Sequence, residues 1–248
     1  MSADNFSRYS RQIILREVGV NGQQLLRDSS ALVIGLGGLG SVAAMYLAGA
    51  GLGRLLLADR DRVDLSNLQR QILYTQDDIG RPKTEAAQAR LSVLNPDVKL
   101  EIFEGRLSPE RLAVMVQAAD VVLDCTDNFS TRFAINAACV SAHKPLVSGA
   151  AIRFEGQLAV FDLRRPGAPC YACLFPQAGE TQETCEEAGI LGPVAGVIGS
   201  MQALATVKLL LGRSDDVNRL HIWNAMDMNG RHLEIKQDPQ CQVCGSET

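Results

Sequence analysis

The stretch ALVIGLGGLG, residues 31–40, decides the fold. Its first half is short, apolar and uncharged, which is typical of a buried strand in a parallel sheet. Its second half places Gly35, Gly37 and Gly40 in the pattern G-x-G-x-x-G, and a helix of small residues, SVAAMYLAGAG, follows. Glycines at such a turn let backbone N–H groups approach phosphates at the N-terminus of the helix. The stretch therefore predicts a nucleotide-binding βαβ unit; the alternative is a tight turn that requires glycine only for packing.

Strands and helices alternate on both sides of this unit, up to about residue 152. The further strands predicted there are RLLLADRD, VKLEIFEG, DVVLDCTD and PLVSGAAI, with helices at PKTEAAQARLSVLN, after Ser108 and at RFAINAACVSAH. This alternation is typical of an α/β fold, in which parallel strands carry helices on both faces. Before it, a helical segment over about residues 5–28 is predicted, with an apolar face of Ile13, Ile14, Val18, Leu25 and Leu26.

The pattern changes after Gly156. The segments QLAVFDLRR, RLHIWNAM and HLEIKQ are predicted strands without crossover helices, which favours antiparallel pairing, and an apolar helix is predicted over about residues 193–212. We predict one domain over residues 1–248, with a Rossmann-like, doubly wound, mostly parallel α/β sheet. Its parts are an N-terminal helical segment (1–30), a nucleotide-binding half (31–152) and a half with antiparallel C-terminal strands (153–248).

The composition excludes several classes of protein. With 46% hydrophobic and 21% charged residues, the 248-residue chain is expected to fold around a substantial core. A net charge of -4 argues against nucleic-acid binding, which needs a basic face. Residues 29–53 and 188–207 carry no charge, but glycines and polar residues interrupt them, so we expect buried core elements and no membrane span. The polar N-terminus shows no secretory signal, and we expect a cytoplasmic protein.

Polar and cationic residues follow the second strand of the unit. Asp59 ends that strand about twenty residues after the glycines, where a carboxylate can accept hydrogen bonds from ribose hydroxyls. The stretch DLSNLQRQ, residues 64–71, and the segment after it then offer Asn67, Arg70, Gln71, Arg81 and Lys83. Cations here would offset the repulsion between a triphosphate and an attacking anion, whereas a dinucleotide needs a slot for nicotinamide. The cluster favours ATP over NAD; the alternative is a solvated basic face.

Four of the seven cysteines form two C-x-x-C pairs, Cys170 with Cys173 and Cys241 with Cys244. Two such pairs are typical of a four-thiolate Zn²⁺ site, which has no open position and ties distant segments together. We predict structural zinc, in a reducing compartment where the thiols stay free. The alternative, a redox C-x-x-C, does not explain the second pair.

The other three cysteines have different surroundings. Cys125 and Cys139 lie in apolar strand and helix segments, and we expect them to be small core residues. Cys185 lies in the polar segment GETQETCEEAGILGP, where neighbouring glutamates would raise the pKa of its thiol. These glutamates argue against an activated nucleophile at this position.

Several motifs together resemble those of the MoeB/ThiF family, the bacterial relatives of ubiquitin-activating enzymes. They are RYSRQIIL, GLGGLG, DLSNLQRQ, RPK, DCTDN, SGAAIRFEGQ and the paired cysteines, in that order along nearly the whole chain. The resemblance implies that a small ubiquitin-like sulfur carrier presents its C-terminal Gly-Gly, whose carboxylate attacks the α-phosphate of ATP. The products would be an acyl adenylate and pyrophosphate.

The resemblance also implies roles for individual residues. Asp59 would hold the ribose, and Asp127 would bind Mg²⁺ near the reacting carboxylate. The alternative for Asp127 is the N-cap of the helix that follows it, and one residue could serve both roles. Arg11 would reach the phosphates of the neighbouring subunit of a homodimer, which makes it a candidate catalytic residue with Arg70, Lys83, Asp127 and Cys185. The residues predicted to contact the nucleotide are Gly35, Gly37, Gly38, Gly40, Asp59, Asp61, Asn67, Arg70, Gln71, Lys83, Asp127 and Asn128.

Alternatives stay open on the carrier, on Cys185 and on the class of protein. SGAAIRFEGQ resembles MoeB, so we expect the molybdopterin-synthase small subunit (MoaD-like) as carrier, with the ThiS-like carrier of thiamine thiazole biosynthesis as the alternative. Cys185 corresponds to a position that joins the carrier through sulfur in some relatives and is dispensable for adenylation in others. No rhodanese-like extension follows Cys244, so we expect sulfur to come from elsewhere. Different classes are an NAD-dependent dehydrogenase with structural zinc and a non-catalytic binding module.

Overall fold

A single eight-stranded sheet organises the computed structural model, which describes residues 3–175, 188–213 and 215–245, with side chains from residue 7 onward. The strands are β1 Ser30–Ile34, β2 Arg54–Asp59, β3 Lys99–Glu104, β4 Val121–Asp124, β5 Leu146–Ile152, β6 Glu155–Phe161, β7 Arg219–Asn224 and β8 Asn229–Glu234. The helices are α1 Ala3–Ile13, α2 Gly19–Asp28, α3 Gly40–Gly49, α4 Lys83–Leu94, α5 Pro109–Gln117, α6 Phe129–Ser141, α7 Tyr171–Leu174 and α8 Gly192–Leu210. Short 3₁₀ turns span Leu65–Asn67 and Gln76–Asp78.

The strand order across the sheet is β3-β2-β1-β4-β5-β6-β7-β8. Strands β1 to β5 are parallel, and β6, β7 and β8 each pair antiparallel with the strand before them. The prediction of a mostly parallel α/β sheet with antiparallel C-terminal strands is therefore confirmed. The chain runs outward from β1 to β3 and then returns to β4 on the other side of β1, so the direction of winding reverses between β1 and β4. Ligands of such sheets bind at this reversal, beyond the carboxyl ends of the strands.

The core lies on both faces of the sheet because successive residues of a strand point to opposite sides. Ala31 and Val33 of β1 pack with α3, α4 and α8, whereas Leu32 and Ile34 pack with α5 and α6. All five residues of β1 are buried, as expected for a central parallel strand. The uninterrupted apolar run in the sequence thus reflects burial on both faces.

The N-terminal segment differs from the prediction of one helical stretch over residues 5–28. It forms two helices, α1 and α2, because the chain turns at residues 14–18 and enters α2 through Gly19, whose φ is +60°. Ile13 and Leu26 are buried as expected, but Ile14 is 71% exposed and Leu25 is 52% exposed. The turn changes the direction of the chain, so a single helical face no longer describes both halves.

Helix α8 packs against the sheet as part of the core, as the uncharged run at residues 188–207 predicted. Its length and apolar composition would allow it to cross a membrane, but half of its apolar window is buried against the rest of the chain. A Cβ added to Gly199 would lie 2.4 Å from the carbonyl oxygen of Leu39, so glycine permits close contact with the turn before α3. Gln202, fully buried, donates to the carbonyl oxygens of Asp124 and Val147 at 2.8 and 3.2 Å.

A buried carboxylate holds the long connection between β2 and α4. Asp78 accepts hydrogen bonds from the backbone N–H and hydroxyl of Thr75, from Arg81 at 2.9 Å and from Arg90 at 3.3 Å. Burial acts to raise the pKa of Asp78, but the bonds from Thr75 and Arg90 outweigh it and lower the pKa overall. Asp78 therefore anchors the segment that carries the polar residues of the predicted nucleotide site.

Replacing this carboxylate should destabilise the fold. We expect Asp78→Asn to lower the free energy of unfolding by about 2 kcal/mol at pH 7, since the buried amide has only one oxygen and cannot accept all four bonds that the carboxylate accepts. Because the pKa of Asp78 is lowered in the folded state, its contribution is present above the unfolded pKa of about 4 and is lost as the pH falls through the folded pKa. In urea unfolding, the free energies of unfolding of the wild type and of Asp78→Asn should differ by a constant amount from pH 7 to pH 5, and this difference should narrow below pH 4.

The neighbouring Asp77 is exposed and provides the matched control. Asp77→Asn should change the urea midpoint very little. Equal effects of the two substitutions would contradict a special role for Asp78.

Candidate active site

A cavity of about 900 Å³ opens at the carboxyl ends of β1, β2, β4 and β5, where the winding of the sheet reverses. The glycine turn after β1, the end of β2, the 64–71 stretch and the loop after β4 form its walls. Several residues from the predicted nucleotide set line it together: Gly35, Gly37, Gly38, Asp59, Asp61, Asn67, Arg70, Gln71, Lys83, Asp127 and Asn128. This volume lies at the upper end of the range for small-molecule sites.

The glycines of the turn have two different functions. A Cβ at Gly35, where φ is +89°, would lie 2.7 Å from the carbonyl oxygen of Cys125, and one at Gly40 would lie 1.8 Å from that of Gly35. These two glycines are required for packing of the turn itself. Gly37 has no such neighbour, since a Cβ there would come no closer than 3.8 Å to the Gln71 side chain. Gly37 lines the cavity, so packing does not explain its lack of a side chain.

Asp59 fixes the backbone of the turn. One carboxylate oxygen accepts from the N–H of Leu36 at 2.5 Å and the other from the N–H of Asp61 at 2.8 Å, while the Tyr74 hydroxyl donates to the Leu36 carbonyl at 2.8 Å. Burial raises the pKa of Asp59, although the nearby Lys83 charge and the two N–H bonds oppose this. Each oxygen keeps a lone pair, so the carboxylate can also accept hydrogen bonds from a ligand.

Lys83 is a buried cation at the edge of the cavity. Its Nζ lies 3.1 Å from a carboxylate oxygen of Asp61, and its backbone N–H donates to the Asp61 carbonyl at 3.0 Å. Only 5% of Lys83 is exposed, which does not fit a solvated basic face. Arg81, which the sequence grouped with it, is exposed and pairs with Asp78 outside the cavity. Arg81 is thus not one of the cations that line the cavity.

The 64–71 stretch forms a 3₁₀ turn whose polar groups are partly ordered by one another. Asn67 accepts from the N–H of Asp64 at 3.2 Å, and the Arg70 guanidinium donates to the Ser66 carbonyl at 2.9 Å. Gln71 is buried, and its side-chain oxygen has no hydrogen-bond partner among the residues that the structure describes. A buried polar atom of this kind, in the wall of a cavity, fits a site that is completed by a polar ligand.

The loop after β4 brings Asp127 to the cavity. The interpretation of Asp127 as the N-cap of α6 is wrong, because Asn128 accepts from the N–H of Thr131 at 3.0 Å and caps the helix. Asn128 also donates to the Asp127 carboxylate at 3.4 Å. Asp127 is exposed, so its carboxylate is accessible to solvent and ligands on the cavity side. An accessible carboxylate supplies the type of oxygen ligand that Mg²⁺ prefers, so Asp127 could hold this ion.

One predicted catalytic residue is not part of this arrangement. Arg11 is exposed on α1 and does not line the cavity. Cys185 lies outside the described residues. Sequence reasoning also missed cavity residues, among them Arg106, Thr126, Arg132, Ser148 and Tyr171. For Arg132 a signal existed, since Asn128, Arg132 and Asn136 recur every fourth position and so share one face of α6.

The four paired cysteines meet, as predicted, at a single point. Their Sγ atoms all lie within 4.8 Å of one another, with Cys170 and Cys241 at 3.7 Å and Cys173 and Cys244 at 3.3 Å. Sulfurs bound to tetrahedral Zn²⁺ at about 2.3 Å would be roughly 3.8 Å apart, so the cluster fits the metal. Asn136 donates to the Cys170 sulfur and the N–H of Asp238 to the Cys173 sulfur, both at 3.4 Å. Such N–H donors orient metal-bound thiolates. Cys125 and Cys139 are buried in the core, as expected.

With this geometry established, comparison with known proteins shows the family. The profile of the ThiF family matches residues 9–243, and the chain belongs to that family. It is 50% identical to the sulfur carrier protein ThiS adenylyltransferase of Escherichia coli K12, covering 99% of this chain and 97% of that protein. It is 45% identical to the molybdopterin-synthase adenylyltransferase of the same organism, covering 99% and 98%.

A solved structure with the same fold is E. coli MccB with ATP. The two chains superpose with a TM-score of 0.84 at 20% identity, over 99% of this chain and 75% of that one. At this level of identity the likeness concerns the fold alone.

Proposed function

We propose that this chain is an ATP-dependent adenylyltransferase that activates the C-terminal glycine carboxylate of a small ubiquitin-like sulfur carrier as acyl-AMP, releasing pyrophosphate. The observation that carries the proposal is the convergence of a buried lysine, an arginine and an open carboxylate on one cavity beside a glycine turn. Full-length relatives at 45–50% identity are named as adenylyltransferases, which supports the same chemistry. The family gives no support to the dehydrogenase alternative.

The chemistry follows from charge. A carboxylate oxygen of the carrier forms a bond to the α-phosphorus of ATP, and the bond from that phosphorus to the bridging oxygen breaks as pyrophosphate leaves. Both reactants are anions, so fixed positive charge lowers the barrier. Lys83 and Arg70 supply this charge from the cavity wall, and Asn67 helps to orient the phosphates. No general base is needed, because the attacking carboxylate is already ionised at pH 7.

Two metal ions belong to the proposal. Mg²⁺ would neutralise charge on the triphosphate, and Asp127 is the carboxylate that this chain offers to it. Zn²⁺ held by Cys170, Cys173, Cys241 and Cys244 would be structural, since four thiolates leave no open position. Cysteines that bind zinc must stay reduced, which favours a reducing compartment, so we propose that the protein is cytoplasmic.

The site is proposed to be completed by a second copy of the chain. Arg11 is exposed on α1, away from the cavity of its own chain, so it can serve the reaction only in another copy. A homodimer would then bring a further cation to each triphosphate.

The identity of the carrier is the finer part of the proposal. SGAAIRFEGQ favours the MoaD-like carrier, while the relatives are named for both the ThiS and the molybdopterin-synthase systems. Whether Cys185 joins the carrier through sulfur is a separate question, because adenylation as written does not require a thiol.

The proposal predicts carrier-dependent exchange of labelled pyrophosphate into ATP. Purified protein, Mg·ATP and either a ThiS-like or a MoaD-like carrier should support exchange, and mass spectrometry should detect the carrier with an added AMP. The same carrier without its last glycine is the matched control and should give neither signal. Absence of exchange with both carriers, together with quenching of NADH fluorescence on binding, would overturn the proposal in favour of a dehydrogenase.

A further inference from the structure

Arg132 is a buried cation in the cavity wall to which the proposed function gives no part. It lies on α6 and is 8% exposed, yet it lines the cavity. Its Nη2 donates to the carbonyl oxygens of Thr126 and Gly149, the latter at 3.0 Å. Its Nη1 lies 3.8 Å from a carboxylate oxygen of Asp124. One guanidinium thus joins the end of β4, the loop after it and the middle of β5.

Its partner Asp124 is bonded to the same loop. One carboxylate oxygen accepts from the N–H of Thr126 at 3.1 Å and from its hydroxyl at 2.7 Å, and the other accepts from the Ser148 hydroxyl at 2.8 Å. A buried arginine–carboxylate pair is tolerated only when hydrogen bonds satisfy both groups. Here most of those bonds end on Thr126, the residue directly before Asp127.

The guanidinium carries its charge inside the protein. Burial acts to lower the pKa of Arg132, but the neighbouring Asp124 carboxylate raises it overall. A charged donor holds its acceptors more rigidly than a neutral donor does, since charge-assisted hydrogen bonds are about twice as strong as bonds between neutral groups. The carbonyls of Thr126 and Gly149 are therefore held toward the guanidinium and away from the anionic reactants that the cavity would bind.

We propose that Arg132 is a positioning residue for adenylation, whose guanidinium fixes the loop of residues 125–128 against β5 and thereby sets the position of Asp127. The proposal rests on the proposed function. Arg132 acts here through Asp127, and its removal should impair the chemical step and leave nucleotide affinity largely intact. A buried residue that only stabilises the fold would not show this pattern.

The test compares Arg132→Lys and Arg132→Gln in the wild-type background and in an Asp127→Asn background. Lysine keeps the charge but cannot hold both carbonyls with one planar fork. We expect kcat for ATP–pyrophosphate exchange to fall roughly 10- to 100-fold in the wild-type background, with little change in KM for ATP. In the Asp127→Asn background the same substitutions should cost less than roughly twofold, because the residue through which Arg132 acts is already impaired.

Equal losses in both backgrounds, or a loss confined to KM, would overturn the proposal. Arg111→Gln is the matched control: it removes a positive charge from an exposed position on α5, where the guanidinium stacks on Phe103, and should leave kcat unchanged. Melting temperatures measured on every variant identify any that fail to fold.

Ser148→Ala keeps the test valid if the Arg132 variants do not fold. It removes one hydrogen bond to Asp124 and retains the guanidinium, so we expect a smaller fall in kcat that also disappears in the Asp127→Asn background. An unchanged kcat in folded Ser148→Ala would count against the positioning network. The wild-type reaction separates the two proposals: no exchange with either carrier overturns both, whereas normal exchange with additive losses overturns only the role of Arg132.

Discussion

Replacing Lys83 by methionine is expected to slow ATP–pyrophosphate exchange by roughly 10²–10³-fold, the usual cost of removing one fixed donor at developing charge. Lys83 is buried beside Asp59 and Asp61, so its loss leaves two carboxylates facing the triphosphate without their cation. Burial raises the pKa of Asp59, and the charge of Lys83 opposes this rise. Without Lys83 the pKa of Asp59 would therefore be higher still. Methionine keeps the length and most of the apolar contacts of the stem, so the fold should persist.

The control for this prediction is Lys99→Met. Lys99 lies on β3 with an exposed side chain that pairs with Glu101, remote from the cavity lining. Its loss should leave the exchange rate unchanged. If Lys83→Met, and the double variant with Arg70→Ala, kept exchange near the wild-type rate, fixed positive charge would not be the basis of catalysis.

Loss of the four-cysteine site is expected to have the largest effect on stability. Cys244→Ser should lower the melting temperature by about 8–16 °C, since loss of a structural metal costs at least about 4 kcal/mol and each kcal/mol shifts a domain of this size by about 2–4 °C. The physical reason is that Cys241 and Cys244 tie the segment after β8 to Cys170 and Cys173 beside α7. A chelator should lower the melting temperature of the wild type by the same amount, and elemental analysis should show that one zinc ion per chain has been removed.

Gln242 supplies the matched control, because it lies exposed between the two C-terminal cysteines. Gln242→Ser should neither release zinc nor change the melting temperature. A wild-type protein purified without metal that melted at the same temperature as the zinc-loaded form would contradict a structural role for the ion.

Much of the fold could be predicted from local sequence. Three local features predict the sheet: the uncharged run at residues 31–34, the glycines after it and the loss of crossover helices after Gly156. Burial on both faces of β1 leaves no polar residue after Ser30, which is why the sequence predicts that strand so clearly. The meeting of cysteines 71 positions apart was also predictable, because thiolate pairs have few other uses in a reducing compartment.

The parts that could not be predicted depend on contacts distant in sequence. Nothing near Arg81 and Lys83 shows that one pairs outward with Asp78 while the other is buried beside Asp61. In the sequence, Arg132 resembles a solvated residue of an amphipathic helix; only the fold shows that β4, the loop after it and β5 place three acceptors around it. The break between α1 and α2 likewise depends on a turn that an apolar periodicity does not reveal.

Helix α6 connects features that are far apart in the chain. Asn128 caps the first turn of the helix at the loop that carries Asp127, and Asn136, two turns further on, donates to the Cys170 sulfur and accepts from the Tyr171 N–H at 2.9 Å. A helix rises about 1.5 Å per residue and is stiff over this length, so these groups move together over a span of about 12 Å. If the four cysteines hold zinc and the proposed function is right, loss of the metal is expected to shift α6 and to lower the rate of adenylation while most of the sheet is still intact.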